Sequence, residues 1–194
     1  MRAITVLGLA LFGSSAFGQN LSLYTGVALG VFGHDNPQPG AFSDSVPSWK
    51  VYGGFQLTEH FGFEAARGST TEIDGGASGS PLSVATRILS TAHSVDFTVT
   101  TFKVMGYLPF EWGALWLGYG TFLMDADVDF SAPFSGRSSL SVSDEGEMAA
   151  LGIEWQLAGL DRSIDVRLEY EWLHFPYVDA STIAVGVAYR FRGL

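Results

Sequence analysis

The sequence predicts an all-β chain: an eight-stranded antiparallel up-and-down transmembrane β-barrel. Three observations point there. Apolar residues alternate with polar or small ones through about eight separate stretches, and a period of two belongs to strands, not to helices. The chain is 47% hydrophobic and only 15% charged, where soluble domains sit nearer about a quarter charged. It also carries 24 Gly and 15 Phe, a composition that suits many turns, close backbone approaches and aromatic-rich strands.

The first residues stand apart from this pattern. Arg2 precedes an apolar run over residues 4–12, and the small-residue stretch GSSAFG follows, ending at Gly18. That order of basic, apolar and small segments is the pattern of a secretory signal peptide, and the run is too short to span a bilayer. Residues 1–18 are therefore read as a cleaved signal peptide and residues 19–194 as one barrel domain. With no Cys after the cut, a lipid-anchored form is not expected, and disulfides, thiolate metal sites and thiol catalysis are excluded. The net charge of −10 argues against nucleic acid, whose binding depends on Lys and Arg at phosphates.

From residue 21 the strands follow in order. Residues 21–32 set Leu21, Leu23, Val27, Leu29 and Val31 against Ser22, Tyr24, Gly26, Ala28 and Gly30. Residues 33–47, with three Pro and two Asp, read as a long loop. Residues 48–57 set Trp49, Val51, Phe55 and Leu57 against Lys50, Tyr52, Gly54 and Gln56, and residues 58–60 form a tight turn. Residues 61–71 set Phe61, Phe63 and Ala65 against Gly62, Glu64 and Ala66, before a polar loop at 72–92.

Residues 93–108 are the least regular. Val95, Phe97 and Val99 share one parity while Phe102, Val104 and Leu108 share the other, so a bulge near Thr100 and Thr101 is expected. PFEWG at 109–113 reads as a short turn. Residues 114–130 set Leu115, Leu117, Tyr119 and Leu123 against Trp116, Gly118, Gly120 and Phe122, with a polar loop expected at 131–143. Residues 144–157 set Ala149, Leu151, Ile153, Trp155 and Leu157 against Met148, Ala150, Gly152, Glu154 and Gln156. After a turn at 158–162 comes the most regular stretch, 163–175. There Ile164, Val166, Leu168, Tyr170 and Trp172 alternate with Asp165, Arg167, Glu169 and Glu171. Residues 180–191 close the series, with Ile183, Val185, Val187, Tyr189 and Phe191 set against Thr182, Ala184, Gly186, Ala188 and Arg190.

A lipocalin-like barrel in water alternates too. The composition of the polar faces separates the two: in the first and last strands they are mostly Gly, Ala, Ser and Thr, too small and uncharged for a surface in water but suited to a crowded lumen. The apolar faces are nearly continuous and carry aromatics near strand ends, as lipid requires of a barrel exterior, and closure satisfies every backbone polar group where no water is available. The lumen is then expected to hold Lys50, Glu64, Lys103, Glu154, Arg167, Glu169, Glu171 and Arg190 as a salt-bridge network. Enclosed opposite charges should pair, because an unpaired one is far more costly, and eight strands leave room mainly for side chains.

Four stretches carry a family resemblance: VYGGFQLTEHFGFEAA (51–66), MGYLPFEWGALWLGYG (105–120), LGIEWQL followed by IDVRLEYEW, and the terminal GVAYRF. In this order they resemble the small eight-stranded outer-membrane barrels of the porin superfamily, grouped around the OmpA transmembrane domain and its OmpX- and Opa-like relatives, over nearly all of residues 19–194. The resemblance implies export to the Gram-negative outer membrane. It implies contact with outer-membrane lipid and lipopolysaccharide. It also implies recognition by the outer-membrane assembly machinery through Gly186, Tyr189 and Phe191, although Arg192, Gly193 and Leu194 follow the usual terminal Phe. No peptidoglycan-binding segment follows the barrel, so wall anchoring is not implied.

The functional expectation is a non-enzymatic barrel with a charge-plugged lumen and acidic extracellular loops, serving envelope integrity or contact with a surface ligand, with no cofactor and no metal. Two alternatives share the architecture: a narrow small-solute channel, and a lipid-modifying enzyme such as a lipid A deacylase. The enzyme needs a Ser–His pair near the rim. Its candidates, His93 with Ser94 and the rim residue His174, fit poorly, because neighbours on a strand point to opposite faces. His34 and His60 fall in a loop and a turn. Asp35, Asp44, Glu72, Asp74, Asp127 and Asp129 lack the regular spacing of a calcium loop. A secreted soluble barrel holding an apolar ligand is the remaining reading.

Overall fold

A computed structural model describes residues 21–35, 45–71, 73–74, 92–132, 136–157, 164–174 and 179–191. The signal peptide read at 1–18 and the tail at 192–194 lie outside the described residues. Alternating side chains build nine strands and, among the described residues, no helix. The strands are β1 (Ser22–Asp35), β2 (Ser45–Thr58), β3 (Phe61–Thr70), β4 (Ile73–Asp74), β5 (Ala92–Phe110), β6 (Gly113–Ala132), β7 (Gly136–Gln156), β8 (Ile164–His174) and β9 (Asp179–Phe191).

Each long strand pairs antiparallel with the next in the chain, and β1 pairs with β9, so the eight long strands close into a barrel. The two-residue β4 adds only to the upper end of β5, Ile73 facing Val95. Closure leaves no edge within the apolar zone, the condition for a sheet in hydrocarbon. Short turns join β2 to β3 and β5 to β6 at one end, where the two chain ends of the barrel also meet through Leu23 and Phe191. The longer connections leave from the opposite end, β1 and β9 reaching it at the paired Asp35 and Asp179.

Period two sorts the side chains as the sequence predicts. Outward positions are apolar and strongly exposed, with Leu29 at 73% and Leu117 at 69%, while their neighbours Ala28 and Trp116 are buried. An apolar exterior over a charged interior is the inverse of a soluble barrel.

Four expectations change. Both ends of the loop expected at 33–47 are strand, residues 33–35 in β1 and 45–47 in β2. The ladder between β5 and β6 runs unbroken through Thr100 and Thr101, and its one irregularity lies between Ala92 and Ser94. There is no bulge in mid-strand: Phe97 and Val99 share the inward face with Thr101, Lys103, Met105 and Tyr107, and pack on the apolar part of the lumen. The parity of the apolar residues switches because the interior itself changes character along the barrel, from charged to apolar. The loop expected at 131–143 is largely strand, since β6 and β7 pair from Gly113–Trp155 up to Ala132–Gly136. At 20 and 21 residues these strands are twice the ~9–11 needed to cross a bilayer. With β5 they rise above the barrel as a polar blade, whose exposed side chains include Asp125, Asp127, Asp129, Asp144 and Glu145. Within the loop expected at 72–92, Ile73 and Asp74 form β4 and Ala92 begins β5.

Candidate functional site

The lumen is where the strand pattern concentrates chemistry. Strand β8 supplies Asp165, Arg167, Glu169 and Glu171 on successive inward positions, all at 4% exposure or less. Four long charged chains fit on one strand because their lateral neighbours are small. Glu169 lies between Gly152 and Ala184, Glu171 between Ala150 and Thr182, and Arg167 has Gly186 on one side. The remaining charges come from the other walls: Lys50 on β2, Glu64 on β3, Lys103 on β5, Glu154 on β7 and Arg190 on β9, all buried.

These nine groups form one connected network. Lys103 Nζ stands 2.7 Å from Glu171 Oε1 and 2.8 Å from Glu64 Oε1. Lys50 Nζ pairs with Glu169 and lies 2.8 Å from Glu171 Oε1. Arg167 donates through Nη1 to Glu64 Oε2, with Glu154 Oε2 at 3.9 Å from Nη2. At the short-turn end Arg190 donates through Nε to Asp165 Oδ2 at 2.9 Å and through Nη2 to Glu154 Oε1 at 3.0 Å. Its Nη1 reaches Gln56 Oε1 at 2.6 Å and Ser22 Oγ at 3.1 Å. Four cations meet five carboxylates, so the interior is close to neutral although the chain is strongly acidic.

All eight residues expected in the lumen are brought together there. Asp165 was not among them, yet it is 1% exposed and holds Arg190. Its signal was present in the sequence, since it shares the parity of Arg167, Glu169 and Glu171. Sequence reading also missed an aromatic cage around the guanidinium. Arg167 Cζ lies 4.4 Å from the Trp116 ring centroid, 5.0 Å from Tyr52 and 5.7 Å from Tyr24. Tyr24 Oη donates to Glu64 Oε2 at 2.9 Å, and Lys103 Nζ sits 5.0 Å over Trp116. Desolvated cations gain from such ring faces. The cage needs glycine walls: a Cβ on Gly152 would overlap the Trp116 indole, and one on Gly26 would overlap the Tyr52 phenol.

Towards the long-loop end the interior turns apolar. Phe32, Phe122, Met148 and Leu173 are buried with Phe97, Val99 and Met124 packed on them, and Phe32 stacks on Phe97 at 5.8 Å. Between this cap and the charges a cavity of about 40 Å³ remains, bounded by Ala28, Gly30, Thr70, Thr101, Lys50 and Glu171. It holds a few water-sized molecules and no organic substrate.

The enzyme candidates do not converge. His174 Nδ1 is 2.7 Å from Asp179 Oδ1 at an exposed rim, and among the described residues no serine hydroxyl bonds it. His93 and Ser94 are consecutive on β5, and His34 lies on β1 rather than in a loop. His60 is exposed in the β2–β3 turn, its Nδ1 3.2 Å from the Tyr107 carbonyl. Among the described residues no group of carboxylates and histidines could hold a metal ion. Of the acidic loop positions, Asp44 and Glu72 lie outside the described residues. In the terminal strand, Gly186 faces inward beside Arg167, while Tyr189 and Phe191 stand outside, their rings 5.0 Å apart.

Comparison with known proteins places this geometry. The family model described as the outer membrane protein β-barrel domain matches residues 4–191. No curated protein sequence matches the chain. Among solved structures, Neisserial surface protein A has a TM-score of 0.64 at 13% identity, covering 89% of this chain and all of that one. Ail, the attachment invasion locus protein of Yersinia pestis, crystallised with the heparin analogue sucrose octasulfate, has a TM-score of 0.61 at 11% identity over 89% of this chain and all of its own. The outer membrane protein OprG of Pseudomonas aeruginosa gives 0.56 at 11% identity, over 90% and 97%. At these identities the likeness is one of fold.

Proposed function

The chain belongs to the outer membrane protein β-barrel family, and from that premise we propose that it is a non-enzymatic barrel whose lumen is closed by its charge network, a scaffold that holds an acidic blade beyond the outer membrane. One observation carries this reading: Lys50, Glu171, Lys103, Glu64, Arg167, Glu154, Arg190 and Asp165 link in unbroken sequence across and along the lumen. An eight-stranded barrel has little interior to spare, and here large side chains and an apolar cap occupy it. The role of such a scaffold is envelope integrity and contact through the blade. Its exposed Asp125, Asp127, Asp129, Asp144 and Glu145 suit a cationic partner. The assembly role of Gly186, Tyr189 and Phe191 belongs to the same proposal. Export by the segment at 1–18 belongs to it as well.

Proteoliposome swelling separates the scaffold from a small-solute channel. Vesicles containing the protein should swell in arabinose no faster than protein-free vesicles. Swelling at the rate of a general porin would replace the scaffold with the channel.

A further inference from the structure

Among the described residues the outer wall carries one cation that a lipid-facing surface does not ordinarily tolerate; the outward Glu147, to which Tyr119 Oη donates at 2.8 Å, is an anion on the same face. On β3 the outward positions run Phe61, Phe63, Ala65, Arg67, and Arg67 is exposed. Of the cationic side chains described, it alone is exposed; Lys50, Lys103, Arg167 and Arg190 are all buried in the lumen. Register places it between Val51 of β2 and Thr100 of β5. It stands six positions beyond Phe61, about 20 Å along the strand. At the tilt of such barrels that is roughly 15 Å of height in an apolar band about 25 Å tall. Its Cα is thus inside the band, in the half nearer the long loops, and its side chain can carry the guanidinium up to the headgroups while its stem lies along the wall.

One row below Arg67 the wall has a notch. Gly53 and Ala65 line it, and Phe55, Phe63, Phe102 and Tyr119 border it, leaving an open groove of about 360 Å³. Phe55 and Phe63 pack at 5.2 Å, and Phe61 and Phe63 at 5.1 Å, so one side of the groove is an aromatic ridge. The notch is not forced by packing. A Cβ on Gly53 would meet nothing nearer than the Tyr24 carbonyl at 3.5 Å, an ordinary contact. A small residue there leaves space on the lipid side that the fold itself does not require.

We infer that this face of β2, β3, β5 and β6 binds a phosphorylated lipid of the leaflet at the long-loop end, with Arg67 on its phosphate and one acyl chain in the Gly53–Ala65 groove. Arg suits a phosphate because its planar fork donates two parallel hydrogen bonds. The negative charge also offsets the desolvation of a guanidinium within the apolar band. Acyl chain and headgroup together fix one lipid where a smooth wall would let it exchange.

Native mass spectrometry of the detergent-purified barrel tests this, using lipid A that carries both phosphates and lipid A stripped of them. The wild type should retain one phosphorylated molecule and little of the stripped one. Arg67→Gln should lower retention about tenfold, the scale of one charge-assisted hydrogen bond, and Arg67→Lys should restore part of it. Gly53→Leu, which fills the groove and leaves the charge, should also lower it. Both sites lie outside the lumen network, so heat-modifiable migration should report folded protein throughout. Equal retention by wild type and Arg67→Gln, or equal retention of the two lipids, would overturn the assignment; retention unchanged in Gly53→Leu would remove the groove from it.

Discussion

Arg167 and Glu64 meet across the full width of the barrel. Their strands, β8 and β3, are separated by three strands on either side, and the guanidinium nevertheless bonds the carboxylate directly with both side chains at 1% exposure or less. The pair is a strut between opposite walls, steadied by Trp116 and Tyr52 on the guanidinium and Tyr24 on the carboxylate.

Removing one end of the strut leaves a buried charge without its partner, which costs about 3–5 kcal/mol. Arg167→Ala should therefore lower the unfolding midpoint in detergent and urea by a large margin. The double variant Arg167→Met with Glu64→Gln should lose much less than the two single changes added together. Strict additivity in that cycle, or an unchanged midpoint for Arg167→Ala, would show that the two groups are not coupled.

Gly152 and Trp116 make a second, steric pair on neighbouring strands. Gly152→Leu should block folding or cost at least the ~1–3 kcal/mol of overpacking, because the indole occupies the space a side chain would need. Adding Trp116→Ala should restore the heat-modifiable band in part, because the added Cβ also lies 2.7 Å from the Leu168 carbonyl. Failure of the second change to restore it would mean that the backbone at Gly152, not the indole, sets the constraint.

Phe122, fully buried, is the centre of the apolar cap. Phe122→Ala should cost about 3–5 kcal/mol yet leave the charge network standing. Its effect should then add to that of Arg190→Met at the short-turn end of the network, as independent sites do. A strong interaction energy between the two would make cap and network one unit.

Phe191 and Tyr189 lie outside, where they affect the folded barrel little. Phe191→Ala should slow insertion by reconstituted assembly machinery several-fold while the urea midpoint of the spontaneously folded protein moves by less than about 1 kcal/mol. Equal losses in both assays would make the residue a packing element only.

Much of this arrangement was legible in the sequence because a strand exposes its parity. Residues 163–175 display two faces without a slip in the sequence, and over the described residues 164–174 both faces stand as read. Parity does not say which interior residues touch, since Arg167 reaches Glu64 only through a register and closure that no local pattern encodes. It also fails where the two faces stop contrasting. Residues 136–143 carry no continuous oily face, so nothing in the sequence marks them as strand and they read as loop. Phe97 and Val99 misled for the opposite reason: they are apolar and inward, and a rule that sends apolar residues to lipid must introduce a bulge to accommodate them. Asp165 was overlooked although its parity was plain, because its partner Arg190 comes from the strand that closes the barrel beside it.

A lumen shut by paired charges is tested most directly with ions, the smallest probe of it. Purified protein should be inserted into planar lipid bilayers in molar potassium chloride and its current recorded at steady voltage. A closed lumen predicts a flat baseline for the wild type; sustained open steps of porin-like size would contradict it.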